Sequence, residues 1–253
     1  MFQNAIVRKP CEEMIHGITS ASLGKPDYTL ALKQHVAYVD ALLSCGLDVT
    51  VLEADSRFPD STFVEDVALC TSRFAVLTNP GAPSRNGEKK DMAPVLSTFF
   101  THLESIKTPG TLDAGDVMMV GDHFYIGISE RTSDEGAAQL ISILESYGMS
   151  GERIPLKEML HLKTGLSYLE NNHLLVFGEF CMHQAFSDFN KIEVDKDEAY
   201  AANSLWVNDT VLVPHGFPST LRKIQLAGFQ TLEVDVSEFR KLDGGLSCLS
   251  LRF

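Results

Sequence analysis

Asp243-Gly244-Gly245-Leu246-Ser247-Cys248-Leu249-Ser250-Leu251-Arg252-Phe253 ends the sequence, and the rest is read outward from it. Two consecutive glycines allow backbone conformations closed to residues with a Cβ. The apolar run Leu249 to Phe253 then reads as a buried strand. Cys248 stands at the joint between loop and strand, where a loop supplies access and a strand supplies rigidity. A lone cysteine packs as a small hydrophobe more often than it reacts. Its neighbours in space therefore decide its role.

Working back along the chain, the same strand–hairpin–helix pattern recurs. Ala5 to Val7 opens as a strand, and Leu32, Val36, Val39 and Leu43 fall at helical spacing between Pro26 and Gly46. Extended runs Phe63 to Cys70 and Phe74 to Leu77 flank Thr71-Ser72-Arg73, and a helix is expected from Lys89 to His102. Asp116 to Val120 and His123 to Ile128 flank Gly121-Asp122, and Thr132-Ser133-Asp134-Glu135 fits a capping box. Further pairs join Leu166–Leu169 to Leu174–Phe177 and Ser204–Val207 to Val211–Val213. The residues opening these units are evenly placed. Glu65 to Asp113 and Asp113 to His161 are each 48 apart, His161 to Asn203 is 42, and Asn203 to Cys248 is 45. A period in this range marks a repeat architecture whose units cannot bury their apolar faces alone. Five units with first and last adjacent close a ring, and equivalent loops of a ring face its axis. Glu65-Asp66, Asp113, His161, Asn203 and Cys248 are then expected in one axial pocket.

Bulk properties narrow the function. The 253 residues carry a formal net charge of -13, which argues against nucleic acid and anionic membrane surfaces as partners and suits a cationic small molecule. The start of the chain shows no secretory signal, and no apolar run reaches the length of a bilayer span. Cys11, Cys45, Cys70, Cys181 and Cys248 are odd in number and scattered. That is neither a disulfide framework nor a zinc site, and it points to a cytoplasmic protein with reduced thiols. The expectation is a single catalytic domain over residues 1–253.

Four motifs, Phe63-Val64-Glu65-Asp66, Leu112-Asp113-Ala114-Gly115-Asp116, Leu160-His161-Leu162-Lys163-Thr164-Gly165 and the closing Asp243 to Cys248, together resemble the dimethylarginine dimethylaminohydrolases, members of the guanidine-modifying superfamily. The resemblance implies a five-bladed α/β propeller, the pentein fold, of repeated ββαβ modules around a central pocket. It also implies Cys248 as nucleophile, His161 as general acid and base, and Asp113 as the acid holding histidine and guanidinium. Many bacterial relatives have Glu at the position of Asp113 and Gly at that of Ala114. By the same resemblance Asp66 grips the guanidinium, and Asp60, Phe63 and Glu65 line its pocket with Thr164 and Ser247. Arg85 and Arg131 hold the substrate α-carboxylate, and Leu23 belongs to a mobile lid. No metal or organic cofactor is implied. The sequence leaves the oligomeric state open, a homodimer included.

The implied chemistry is hydrolysis of methylated arginine to citrulline through a covalent thiouronium on Cys248. Arginine deiminases and amidinotransferases use related machinery in longer chains. A catalytically dead module for cationic amino acids would be expected to lack Cys248, His161 or Asp113.

Overall fold

The computed structural model describes every residue from Met1 to Phe253. Strand β1 (Asn4–Arg8) is followed by helix α1 (Tyr28–Ser44) and β2 (Asp48–Leu52). Then come β3 (Ala68–Cys70), β4 (Ala75–Leu77), α2 (Lys89–Leu96) and β5 (Leu103–Ser105). The third unit is β6 (Val117–Val120), β7 (His123–Ile128), α3 (Asp134–Ser146) and β8 (Ser150–Pro155). A one-turn helix α4 (Leu162–Gly165) opens the fourth, with β9 (Leu166–Tyr168), β10 (His173–Val176) and β11 (Asn190–Glu193). The fifth has β12 (Leu205–Val207), β13 (Thr210–Pro214), α5 (Pro218–Leu226) and β14 (Gln230–Val234). Helix α6 (Ser237–Arg240) and β15 (Leu251–Arg252) end the chain.

These strands form five sheets of three, each with the same order: an inner strand antiparallel to the middle one, which runs parallel to the outer one. The inner strand of the first sheet is β15, paired antiparallel to β1 through Ala5–Arg252 and Ile6–Leu251. The two ends of the chain thus complete one module together, and the ring is closed by hydrogen bonds.

Each apolar core lies between modules. Ile6 and Leu251 of the first pack with Val64, Val67, Ala75, Met92 and Leu96 of the second. Phe74, Val76 and Ile106 meet Leu112, Phe124 and Leu140 of the third. Met118 and Ile154 meet Leu166 and Leu174 of the fourth, and Leu175 and Ile192 meet Val211 and Ile224 of the fifth. The fifth returns to the first through Leu205 and Val207 packed on Ala5 and Tyr38. Every module buries its faces against two neighbours, which is why the ring needs all five.

Three local expectations are corrected. Residues 64–67 and 247–249 are single 3-10 turns, so the inner strands start later than the apolar runs suggested. The glycines of the closing loop take ordinary φ. Asp243 is the residue in the left-handed region, at φ 58, which aspartate tolerates better than most. A Cβ on Gly245 would come within 2.5 Å of the Asn203 side chain, so closeness is what requires glycine there. Finally, α1 turns Ala31, Gln34, His35, Tyr38, Ala41 and Leu42 inward, while Val36 and Leu43 are 59% and 50% exposed. Tyr38 compensates for its burial by hydrogen bonds to the Leu246 carbonyl (2.8 Å) and Ser250 Oγ (2.6 Å), which holds the closing loop on the helix.

Candidate active site

A helical turn precedes the inner strand of every module, and these five turns meet at the axis: Val64–Val67, Ala114–Asp116, Leu162–Gly165, Lys196–Ala202 and Ser247–Leu249. Consecutive residues in a turn point in different directions, so each turn can serve two sides of the ring. On one side lies a cavity of about 230 Å³ whose lining includes Asp66, Asp113, His161, Cys248, Arg85 and Arg131. On the other lies one of about 390 Å³ lined by Glu65, Ala114, Lys163 and Ser247 among apolar side chains. The smaller cavity brings one thiol and one imidazole together with Asp60, Asp66 and Asp113.

Asp66 is buried, with Oδ2 accepting from Arg85 NH1 at 2.5 Å and Oδ1 from the Gly115 amide at 3.1 Å. A Cβ on Gly115 would sit 2.8 Å from Asp66 Oδ1 and 3.3 Å from the His161 ring, so only glycine lets these loops meet. Burial pushes the Asp66 carboxyl up, but Arg85 and the His161 imidazolium outweigh it and hold it below its ordinary range. Asp113 accepts from the Gly81 amide at 2.7 Å. Burial and the Asp66 charge push its carboxyl up to about 7 against His161 and Arg85. The two neighbouring acids are thereby driven apart.

His161 faces a third carboxylate. Its Nδ1 lies 3.3 Å from Asp116 Oδ2, an ion-pair distance without hydrogen-bond alignment. Asp116 is fully buried and held by Ser129 Oγ and Thr132 Oγ1, each at 2.7 Å, and by the Leu162 amide at 2.9 Å. Burial alone would lower the imidazole, but the charges of Asp116, Asp66 and Asp113 together raise it to about 9. The ring is therefore a cation at neutral pH. Asp66, Asp113 and His161 offer oxygen and nitrogen atoms within 4.8 Å of one another, a spacing that fits a small cation. A protonated imidazole has no lone pair for a metal, whereas paired carboxylates suit the planar donors of a guanidinium.

Cys248 Sγ accepts from the Gly245 amide at 3.4 Å. Burial, then the charges of Glu65 and Asp66, push the thiol up to about 12. A thiol so placed favours its neutral form until a cation comes beside it.

The remaining expected site residues divide. Asp60 and Phe63 line the smaller cavity, and Asp60 accepts from the Ile18 amide at 3.0 Å. Arg131 lines it too. Arg85 lines it but is buried, with NH2 bound to Glu88 Oε2 and the Phe63 carbonyl, both at 2.8 Å. Its charge offsets those of Glu88, Asp66 and Asp113 around it. Glu65 and Ser247 are corrected to the opposite cavity, and Thr164 is exposed, outside the lining of both. Leu23 is 50% exposed and outside the pocket; Ile18, Thr19 and Ser20 edge it instead. Asp116 has no role in the sequence reading beyond its place in the Leu112–Asp116 motif, and Thr132 stands there only in a capping box. The cap of α3 is Ser133, accepting from the Gly136 amide, and Thr132 is committed to Asp116. The signal was present in the offset of three between Asp113 and Asp116 on one turn.

A family model described as N,N dimethylarginine dimethylhydrolase, eukaryotic, matches residues 24–214. A dimethylarginine dimethylaminohydrolase of Pseudomonas aeruginosa is 54% identical over the full length of both chains. The chain belongs to the dimethylarginine dimethylaminohydrolase family. Two solved structures of such enzymes, each 54% identical, superpose on it with a TM-score of 0.99 over the whole of both chains. One is a histidine-to-glycine variant as an adduct with S-methyl-L-thiocitrulline, and the other, from Pseudomonas aeruginosa, is a cysteine-to-serine variant in complex with citrulline. The five-module fold expected from the repeat is thus the fold of the dimethylarginine dimethylaminohydrolases. No helix of the chain is long and apolar enough to cross a membrane.

Proposed function

We propose that this chain hydrolyses arginine methylated on its guanidino nitrogens to citrulline, releasing dimethylamine or methylamine, through a thiouronium on Cys248. The observation that carries the reading is one axial cavity holding a thiol, an imidazolium and two carboxylates of opposite pKa shift. Asp66 and Asp113 orient the guanidinium, and Arg131 meets the α-carboxylate at the cavity edge. Bound cation favours thiolate, so Cys248 gives up its proton to solvent only with substrate in place. Sulfur attacks the guanidinium carbon, and the His161 imidazolium donates its proton to the departing amine as the C–N bond breaks. The now neutral His161 takes a proton from water, whose oxygen bonds to the same carbon. The C–S bond breaks, citrulline leaves and Cys248 is restored.

The decisive assay compares citrulline release from arginine, monomethylarginine and asymmetric dimethylarginine. Release from the methylated substrates, well above that from arginine, is expected. Preference for arginine would assign a deiminase instead, and binding without release would assign a binding module.

The reading extends to a reduced, cytoplasmic, single catalytic domain, in keeping with five unpaired cysteines, and to a homodimer. The outer face of α1 supports the dimer. Leu30, Val36 and Leu43 are exposed there beside Lys33 and Asp40. A twofold axis between Val36 and Ala37 sets Lys33 level with the partner's Asp40 and Leu43 level with the partner's Leu30, since 33 + 40 and 43 + 30 both equal 73.

A further inference from the structure

The two axial cavities are separated by a wall one residue thick. Asp66, Asp113 and Cys248 face the catalytic side, and their chain neighbours Glu65, Ala114 and Ser247 face the other. Between them four residues, each from the axial turn of a different module, form a closed hydrogen-bonded circuit. Ser247 Oγ donates to Glu65 Oε2 at 2.8 Å, and Lys163 Nζ donates to Glu65 Oε1 at 2.6 Å. Asn203 Nδ2 donates to the Lys163 carbonyl at 2.9 Å and to Ser247 Oγ at 3.0 Å, while its Oδ1 accepts from the Ser247 amide at 3.0 Å. Arg252 adds a bond to the Ser247 carbonyl at 3.1 Å and lies 3.4 Å from Glu65 Oε1. Glu65, Ser247 and Asn203 are all buried.

We propose that Glu65 is a positioning residue, the hub of a clamp that fixes the turn carrying Cys248 against the turn carrying His161. Ser247 precedes the nucleophile by one residue, and Lys163 follows the general acid by two on the same helical turn. A carboxylate is the one group that accepts from both at once and matches the Lys163 charge. A shift of about 1 Å between attacking sulfur and proton donor costs on the order of a hundredfold in rate, so a buried clamp behind the reacting pair acts directly on turnover. Glu65 lines the cavity opposite the one lined by Asp66, Asp113, His161 and Cys248.

The inference rests on Cys248 as nucleophile, and its test is separable from that assignment. In Glu65→Gln the shape is kept and the charge removed. The expected result is a fall in kcat of roughly a hundredfold with KM within twofold of wild type. The thiolate absorbance of Cys248 is also expected to titrate at lower pH. The charges facing that thiol are Glu65, Asp66 and Lys163, with Asp113 and His161 lining the same cavity and the Tyr38 and Tyr200 hydroxyls behind it, and only Glu65 is altered. Lys163→Met, removing the other half of the pair, is expected to lower kcat similarly, and the double variant to do little further harm. A loss expressed mainly in KM would make Glu65 a substrate contact. Unchanged kcat, or a lower kcat with an unmoved thiolate midpoint, would also overturn the clamp, whatever Cys248→Ser does. Should Glu65→Gln fail to fold, Ser247→Ala removes two bonds of the circuit, to Glu65 and from Asn203, and answers the same kcat and KM question.

Discussion

Three carboxylates surround His161, and they divide the work. Asp116 cannot reach solvent and exists to charge and orient the ring; Asp66 and Asp113 face the cavity. Replacing Asp116 by Asn is therefore expected to lower the imidazole midpoint, seen by NMR, from about 9 and to reduce kcat by roughly a hundredfold, with little change in KM. Stability follows the same linkage. His161 has a raised folded pKa, so its contribution is complete below the unfolded value of about 6.5, declines as pH rises, and is gone above about 9. The melting-temperature gap between wild type and the Asp116→Asn variant is expected to be wider at pH 6 than at pH 9.5. An equal gap at both would place the variant's cost in lost hydrogen bonds alone. Arg131 belongs to the other end of the substrate. Arg131→Ala is expected to raise KM about 30-fold, or about 2 kcal/mol, for amino-acid substrates and to leave a simple alkylguanidine unaffected. Equal losses on both would make Arg131 structural.

The recurring element is a helical turn feeding an inner strand, and it explains what could be read in advance. Cys248, His161 and Asp113 were legible because, together with Glu65 and Asn203, they stand in a series with steps of 42 to 48 residues, the length of the module, and a module repeat places equivalent residues at the axis. The side of the wall was not legible. Glu65 and Asp66 are adjacent in sequence, yet they face opposite cavities, and a period tells which turns converge but not which residue faces substrate. Asp116 was obscured for a related reason, since an acid in a Gly-containing loop looks the same whether it makes a turn or holds a histidine. Helix α1 misled through composition. Its core face uses Gln34, His35 and Tyr38, so of the apolar residues at helical spacing Val36 and Leu43 mark the outer face, while Val39 packs on the core.

At the scale of the whole molecule, those outward residues carry the proposed assembly. Asp40→Lys is expected to set Lys33 against a second lysine across the axis and shift sedimentation to monomer, and the double change Lys33→Asp with Asp40→Lys is expected to restore the dimer. A wild type that sediments as monomer, or a dimer indifferent to Asp40→Lys, would remove α1 as the interface. Citrulline release is expected to be the same in all three, since the helix face lies outside the axial cavity. The ring itself presents five modules to one pocket, and the account centres on what forms there. Acid-quenching the wild-type protein during turnover of asymmetric dimethylarginine, then mapping the intact adduct by mass spectrometry, tests it most directly. The expected result is the substrate less its dimethylamine, with the amino-acid chain still attached to the thiouronium carbon, bonded to Cys248 and absent from Cys11, Cys45, Cys70 and Cys181. Steady citrulline release with no adduct on Cys248 would contradict it.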